Sequence, residues 1–259
     1  MKEERLIIIS GVTGDLGKAY YNHYSKDPSV KCVGITRQEF DIRYNWRKAD
    51  LLNKIQTASA INSIPLEGIK EIILIHPVGK FKFEDSKHHI IDKNQDGIDD
   101  EVYNSNIKTF MNVIEPLCKR LENRKLTVCQ FGSISDKYMI PYWKSYSKTK
   151  DKLRLIVKKL TDHNNIRGIF FDLSSTDTIN ESKTRPNANK KYWIKPKEVV
   201  EQSIPYINNE KKFQEISIYK KSPLYHNQWF IDIEALHYRW KKDMGNKHKK
   251  VKQNEISKN

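Results

Sequence analysis

Leu6-Ile7-Ile8-Ile9-Ser10-Gly11-Val12-Thr13-Gly14-Asp15-Leu16-Gly17 follows a charged start and sets the architecture. Four apolar residues in a row read as a strand buried on both faces, the pattern of a parallel sheet covered by helices. A GxxGxxG turn comes next, and Asp15 to about Tyr24 reads as a helix. Glycines at a strand–helix turn let the backbone approach a pyrophosphate, and the helix N-terminus points N–H donors at the anion. Gly11, Thr13, Gly14, Asp15, Leu16 and Gly17 are therefore candidate dinucleotide contacts. An ordinary tight turn also uses glycine, but the place in the first strand–helix connection favours the dinucleotide.

The alternation continues outward from this turn. Strands are expected at 30–35, 45–51, 71–76, 126–131, 166–172 and 213–219, with helices at 52–61, 99–121, 144–160 and 197–207. Strand–helix alternation over this length implies an α/β fold, a doubly wound parallel sheet of Rossmann type in one domain over residues 1–245. Residues 246–259 lack apolar periodicity and read as a basic, disordered tail. The second strand ends Gly34-Ile35-Thr36-Arg37, without the carboxylate that holds an NAD ribose. Thr36 and Arg37 occupy the ribose-reading place, and a guanidinium can pair with a 2′-phosphate, so NADP(H) is the expected cofactor.

Tyr146 and Lys150 lie four residues apart on an expected helix, which puts both on one face. An ammonium beside a tyrosine favours the phenolate and brings the group towards working pH. Ser133 stands thirteen residues before Tyr146, at the end of a strand, and Asn106 stands 27 before Ser133. With the glycine turn, this order and spacing resemble the short-chain dehydrogenase/reductase family, over Leu6 to about Tyr219.

The resemblance implies roles for these positions. Tyr146 exchanges the carbinol proton, Ser133 hydrogen-bonds the substrate oxygen, Lys150 tunes Tyr146 and holds ribose hydroxyls, and Asn106 holds a water linking Lys150 to solvent. Asp50 and Leu51 match the adenine-contacting segment. His76 and Pro77, in His76-Pro77-Val78-Gly79, stand where the family has Asn-Ala-Gly beside the ribose. Thr176 or Thr178 stands near the nicotinamide carboxamide, although the family's Pro-Gly pair is missing there. The glycine spacing is that of extended and atypical members, whereas the chain length suits the shorter ones. The implied activity is carbonyl/alcohol oxidoreduction with NADP(H), in a homodimer or homotetramer built on the faces of 99–121 and 144–160. A sugar-nucleotide epimerase or dehydratase and a non-catalytic NADP(H) sensor are the alternatives.

The net charge of +15 exceeds what the end of the chain explains: 239–259 carries +6 and the remainder +9. Such a field suits nucleic acid, anionic lipid, an anionic substrate or a cofactor phosphate. The aromatic and basic run Tyr225, Trp229, Phe230, Tyr238, Arg239, Trp240 is read as substrate-pocket closure in preference to nucleic-acid stacking. Lys183 and Arg185 are placed to meet an anionic group. No apolar run is long enough for a membrane span, and three cysteines without CxxC spacing fit a reducing cytoplasm. No metal is expected: the run from Asp92 to Tyr103 lacks the glutamate that closes a calcium loop, and His88-His89 has no third ligand.

Overall fold

The computed structural model describes residues 4–84, 91–93, 96–138, 140–221 and 230–245. Its strands are β1 (Glu4–Ser10), β2 (Val30–Thr36), β3 (Trp46–Lys48), β4 (Ile69–His76), β5 (Lys125–Ser133), β6 (Ile166–Leu173) and β7 (Phe213–Ile218). They form one sheet in the order β3-β2-β1-β4-β5-β6-β7, each neighbouring pair parallel. The direction of winding reverses between β1 and β4, so their carboxyl ends open a crevice where sheets of this kind take ligands.

The helices are α1 (Asp15–Tyr24), α2 (Lys54–Asn62), α3 (Asp100–Tyr103), α4 (Thr109–Lys119), α5 (Lys144–Leu160), α6 (Ile179–Thr184), α7 (Pro196–Ile207) and α8 (Ile233–Asp243). Strand alternation sorts the apolar side chains into two layers. Leu6, Ile8, Ile72 and Leu74 face α2, α4 and α5; Ile7, Ile9, Ile73 and Ile75 face α1 and α7. A third, aromatic cluster joins Phe83, Trp143 and Trp240 and seats α8 over the end of the crevice.

Three local differences separate sequence and structure. The helix expected over 99–121 is broken by a π turn, Asn104–Lys108, between α3 and α4. In that wide turn the Thr109 hydroxyl donates to the Ser105 carbonyl, and Asn106 turns its carboxamide towards Lys80. The third strand keeps only three residues, because the Asp50 N–H leaves the sheet for the Gln56 side chain and the Asp50 carboxylate accepts from Leu52. Finally, α6 and α8 are additional to the expected helices, and Leu236 and Trp240 of α8 are buried at helical spacing.

Residues 246–259, His88, His89, Asn94, Gln95, Tyr225 and Trp229 lie outside the described residues. Among those described, no helix is long and apolar enough to cross a membrane, and no three potential metal ligands cluster. Asp92 and Asp96 instead accept backbone N–H groups of their own turn.

Candidate cofactor and catalytic cleft

Gly11 adopts φ +68°, and its N–H and that of Val12 donate to the Ile35 carbonyl at 2.8 and 3.2 Å. A Cβ at Gly11 would lie 2.6 Å from the Val78 side chain, and one at Gly17 would collide with the Gly11 carbonyl oxygen. The turn therefore packs as tightly as a backbone cradle requires. Gly14 occupies the N-cap of α1 with no side chain capping the helix, which leaves its first N–H groups directed at the crevice. The Asp15 carboxylate accepts the Ile179 N–H at 2.6 Å and ties the start of α1 to α6. Thr13 and Thr36 share a hydrogen bond of 3.0 Å, so buried Thr36 supports the turn from below.

A cleft of about 950 Å³ runs along the carboxyl ends of the strands. The glycine turn, Thr36, Arg37, Asp50 and Leu51 line one end, Pro77 to Gly79 the middle, and Ser133, Tyr146, Lys150 and Thr176 the other end. Arg37 is exposed and takes part in no hydrogen bond or ion pair among the described residues. His76 corrects the expectation: it does not line the cleft. Its ring is fully buried, 2.5 Å from the Ser10 hydroxyl, 3.3 Å from that of Thr109, and edge-on to Phe110. Burial, then the charge of Lys150, lowers its pKa to about 3, so it is a neutral part of the floor.

Tyr146 and Lys150 occupy consecutive turns of α5, with the ammonium 5.3 Å from the phenol ring centre. Ser133 closes β5; its hydroxyl lies 2.9 Å from that of Ser135. Asn106 stands behind Gly79, where a Cβ would strike its carboxamide and come within 3.0 Å of Lys150 Nζ. The Asn106 carboxamide accepts from Lys80 N–H and donates to the Lys80 carbonyl and the Thr149 hydroxyl. It is buried beside Lys150 and off the cleft wall.

The electrostatics of Tyr146 differ from the expectation. Burial, reinforced by the negative charges of Asp136, Glu181 and Asp172, holds the phenol protonated far above its ordinary range. Burial draws the Lys150 ammonium down, and Asp136 opposes that. A neighbouring ammonium alone would favour the phenolate; burial and three carboxylates move the group the other way.

Other residues beneath the cleft carry no local signal in the sequence. Asp136 and Asp172 are buried under the site and pair with Arg154. Arg185, expected to face an anion, is 4% exposed and committed inside the protein. It pairs with Asp243 at 2.5 Å and Glu181 at 3.1 Å and stacks on Trp240. Lys183 remains exposed on the cleft. Phe81, Trp143 and Trp240 form an aromatic wall next to Tyr146.

No protein-family model matches the sequence, and no curated protein does. Solved structures do match, and the fold is that of short-chain dehydrogenase/reductases. Aldohexose dehydrogenase of Thermoplasma acidophilum, in ligand-free form, superposes with TM-score 0.68 at 11% identity, over 85% of this chain and 96% of that one. An alcohol dehydrogenase of the archaeon Thermococcus sibiricus, complexed with 5-hydroxy-NADP, gives 0.66 at 17% identity, over 85% and 99%. A short chain dehydrogenase of Burkholderia cenocepacia J2315, in complex with NADP, gives 0.66 at 16%, over 93% and 99%. A 3-ketoacyl-(acyl-carrier-protein) reductase of Brucella melitensis, with a TM-score of 0.65 at 13% identity over 85% and 98%, is complexed with NADH. At such identities the likeness establishes the fold.

Proposed function

We propose that the protein is an NADP(H)-dependent oxidoreductase that interconverts a carbonyl and an alcohol, working chiefly as a reductase. One observation carries this reading: a single cleft holds Ser133, Tyr146 and Lys150 at one end and the unpaired Arg37 at the other, joined by a glycine backbone. The residues suit a dinucleotide. Side-chain-free surface at Gly11, Gly14 and Gly17 meets an uncapped helix start, and Arg37 offers two parallel donors to a 2′-phosphate. Asp50 and Leu51 would border the adenine, and Pro77, Lys150 and Thr176 the nicotinamide half.

The bound cofactor supplies the hydride. The rest is done by this chain. Tyr146 Oη, held protonated by burial and nearby carboxylates, donates its proton to the substrate oxygen. The Ser133 hydroxyl donates a hydrogen bond to the same oxygen as charge develops there. The Lys150 ammonium restores the phenol, and Asn106, locked by Lys80 and Thr149, lies with it behind Gly79. A phenol kept protonated at working pH begins each turnover in the form that reduction uses.

The reading is tested by following loss of reduced-nicotinamide absorbance with a panel of ketones and aldehydes. Turnover with NADPH exceeding that with NADH is expected. Tight NADPH binding with no turnover on any carbonyl compound would overturn the enzymatic reading in favour of a sensor. Self-association through the outer faces of α4 and α5, where Leu155 is 65% exposed, belongs to the same proposal. Light scattering that shows only a monomer would remove it.

A further inference from the structure

Directly after Ser133, a 3-10 turn (Ile134–Tyr138) buries Asp136 to 2% exposure. Its Oδ2 accepts the Ser133 N–H at 3.0 Å and lies 3.7 Å from the Arg154 guanidinium. Its Oδ1 is buried without a hydrogen-bond partner. An unpaired carboxylate oxygen in low dielectric is costly, and a protonated carboxyl is less so.

This carboxyl stands at the inner end of a line of ionisable groups. Tyr146, Lys150 and Arg154 follow one another at four-residue spacing along one face of α5. Arg154 also pairs with Asp172 of β6 at 3.2 Å and with Glu215 of β7 at 3.3 Å. Lys137 bridges the same two carboxylates at 3.3 Å each. The side chains of Glu215 and Lys137 are 32% and 52% exposed, so the line ends in solvent. Asp151 is a further, exposed partner of Arg154.

We propose that Asp136 is a proton store for the Tyr146–Lys150 pair, refilled from solvent through Asp172 and Glu215. The inference rests on the oxidoreductase reading. In each reduction Tyr146 Oη gives one proton to the substrate oxygen, while the nicotinamide gives the hydride pair. Asp136 then releases one proton to the Tyr146–Lys150 pair, and Glu215 takes one from water for the next cycle. Arg154 keeps its charge throughout and positions the carboxylates. Asn106, hydrogen-bonded to Lys80 and Thr149, stands outside this line of groups.

The protonation preferences agree with this geometry. Burial lifts Asp136 far above the carboxylate range; the Ser133 N–H, Lys150 and Arg154 oppose, and Asp172 adds to the rise. Burial raises Asp172 as well, against the pull of Arg154 and Lys137. Glu181 faces Tyr146 from α6, and His76, neutral, faces Lys150 from β4.

Carboxyl-carbon NMR of the full chain, alone and with NADP+, tests the store without turnover. The signal lost in Asp136→Asn should titrate far above ordinary aspartates, and rise further in Lys150→Met. Titration near ~4 would overturn the proposal whatever the activity. With a carbonyl compound that the wild type reduces, Asp136→Asn should lower kcat on the order of tenfold, less than loss of the acid itself. The deficit should grow as pH rises, cofactor Kd should stay unchanged, and Asp136→Glu should restore most of kcat. A kcat–pH profile identical to wild type would overturn the store while leaving the oxidoreductase reading intact; an inactive wild type would overturn that reading instead. If Asp136→Asn does not fold, the Asp136→Glu profile and the response of the Asp136 signal to Lys150→Met decide.

Discussion

Around Gly11–Gly17 the cleft is walled by backbone, whereas beneath Tyr146 it rests on buried ionisable side chains. The first region presents N–H donors and one unpaired cation, Arg37, at an exposed edge. The second buries Asp136, Lys150 and Asp172, with Arg154 half-buried against two of them. Anion binding needs only oriented dipoles and a mobile charge close to solvent. Proton transfer needs groups whose affinities are moved away from their aqueous values, and that requires burial. Substitutions at the two ends should therefore fail differently.

The largest effect belongs to the buried end. Tyr146→Phe removes the donated proton and keeps the ring against Phe81. Turnover should fall about 10²–10⁴-fold, with cofactor affinity nearly unchanged. A variant that keeps wild-type kcat would dissolve the distinction between the ends. Ser133→Ala should cost less, since a water can replace part of its hydrogen bond.

At the exposed end the effect is on affinity and depends on salt. Arg37 brings a cation and two donors to the place where a 2′-phosphate would lie, and no Asp or Glu occupies Ile35 or Thr36. Charge-assisted bonds of this kind contribute on the order of 1.5–3 kcal/mol, or roughly ten- to over a hundredfold in affinity. NADPH should bind more tightly than NADH, and high salt should narrow the difference. Arg37→Asp should reverse the preference with little change in Tm. Titration of both proteins with both cofactors measures it, and equal wild-type affinities would remove Arg37 from the site.

The exposed end was readable from sequence because its determinants are contiguous. Gly11, Gly14 and Gly17 announce themselves by spacing, and Arg37 by following a strand. Tyr146 and Lys150 were legible for the same reason, one helical turn apart. The layer beneath them was not. Asp136, Asp172 and Glu215 come from three different elements, and only the parallel register of β5, β6 and β7 brings them to Arg154. The break at Asn104–Lys108 has no proline or glycine to mark it. Arg185 looked like an anion contact because its partner Asp243 lies 58 residues away. The neighbouring lysine alone gives the opposite sign for the Tyr146 shift, since burial leaves no trace in local sequence.

His76 tests the floor between the two ends, and at neutral pH it should have the smallest effect of the three. The family resemblance puts it at a ribose-contact position, yet its ring is spent on Ser10 and Thr109. Buried and neutral, it has a pKa lowered to about 3, against about 6.5 in an unfolded chain. Above about pH 6.5 both states are neutral and the residue adds no pH dependence. As pH falls below that value, the unfolded chain takes up a proton that the folded ring refuses, so stability is lost down to about pH 3. The slope is about 1.4 kcal/mol per unit, or roughly 2 kcal/mol between pH 6.5 and 5. His76→Gln should remove this slope while changing stability by only about 1 kcal/mol at pH 7, the net worth of a typical hydrogen bond. Asp136 and Asp172, with raised affinities, contribute the opposite slope, but they do so in both proteins and cancel in the difference. Urea unfolding of wild type and variant at pH 7 and pH 5 measures that difference. Equal losses in the two proteins would mean that the His76 ring reaches water, and the floor would then belong with the exposed end.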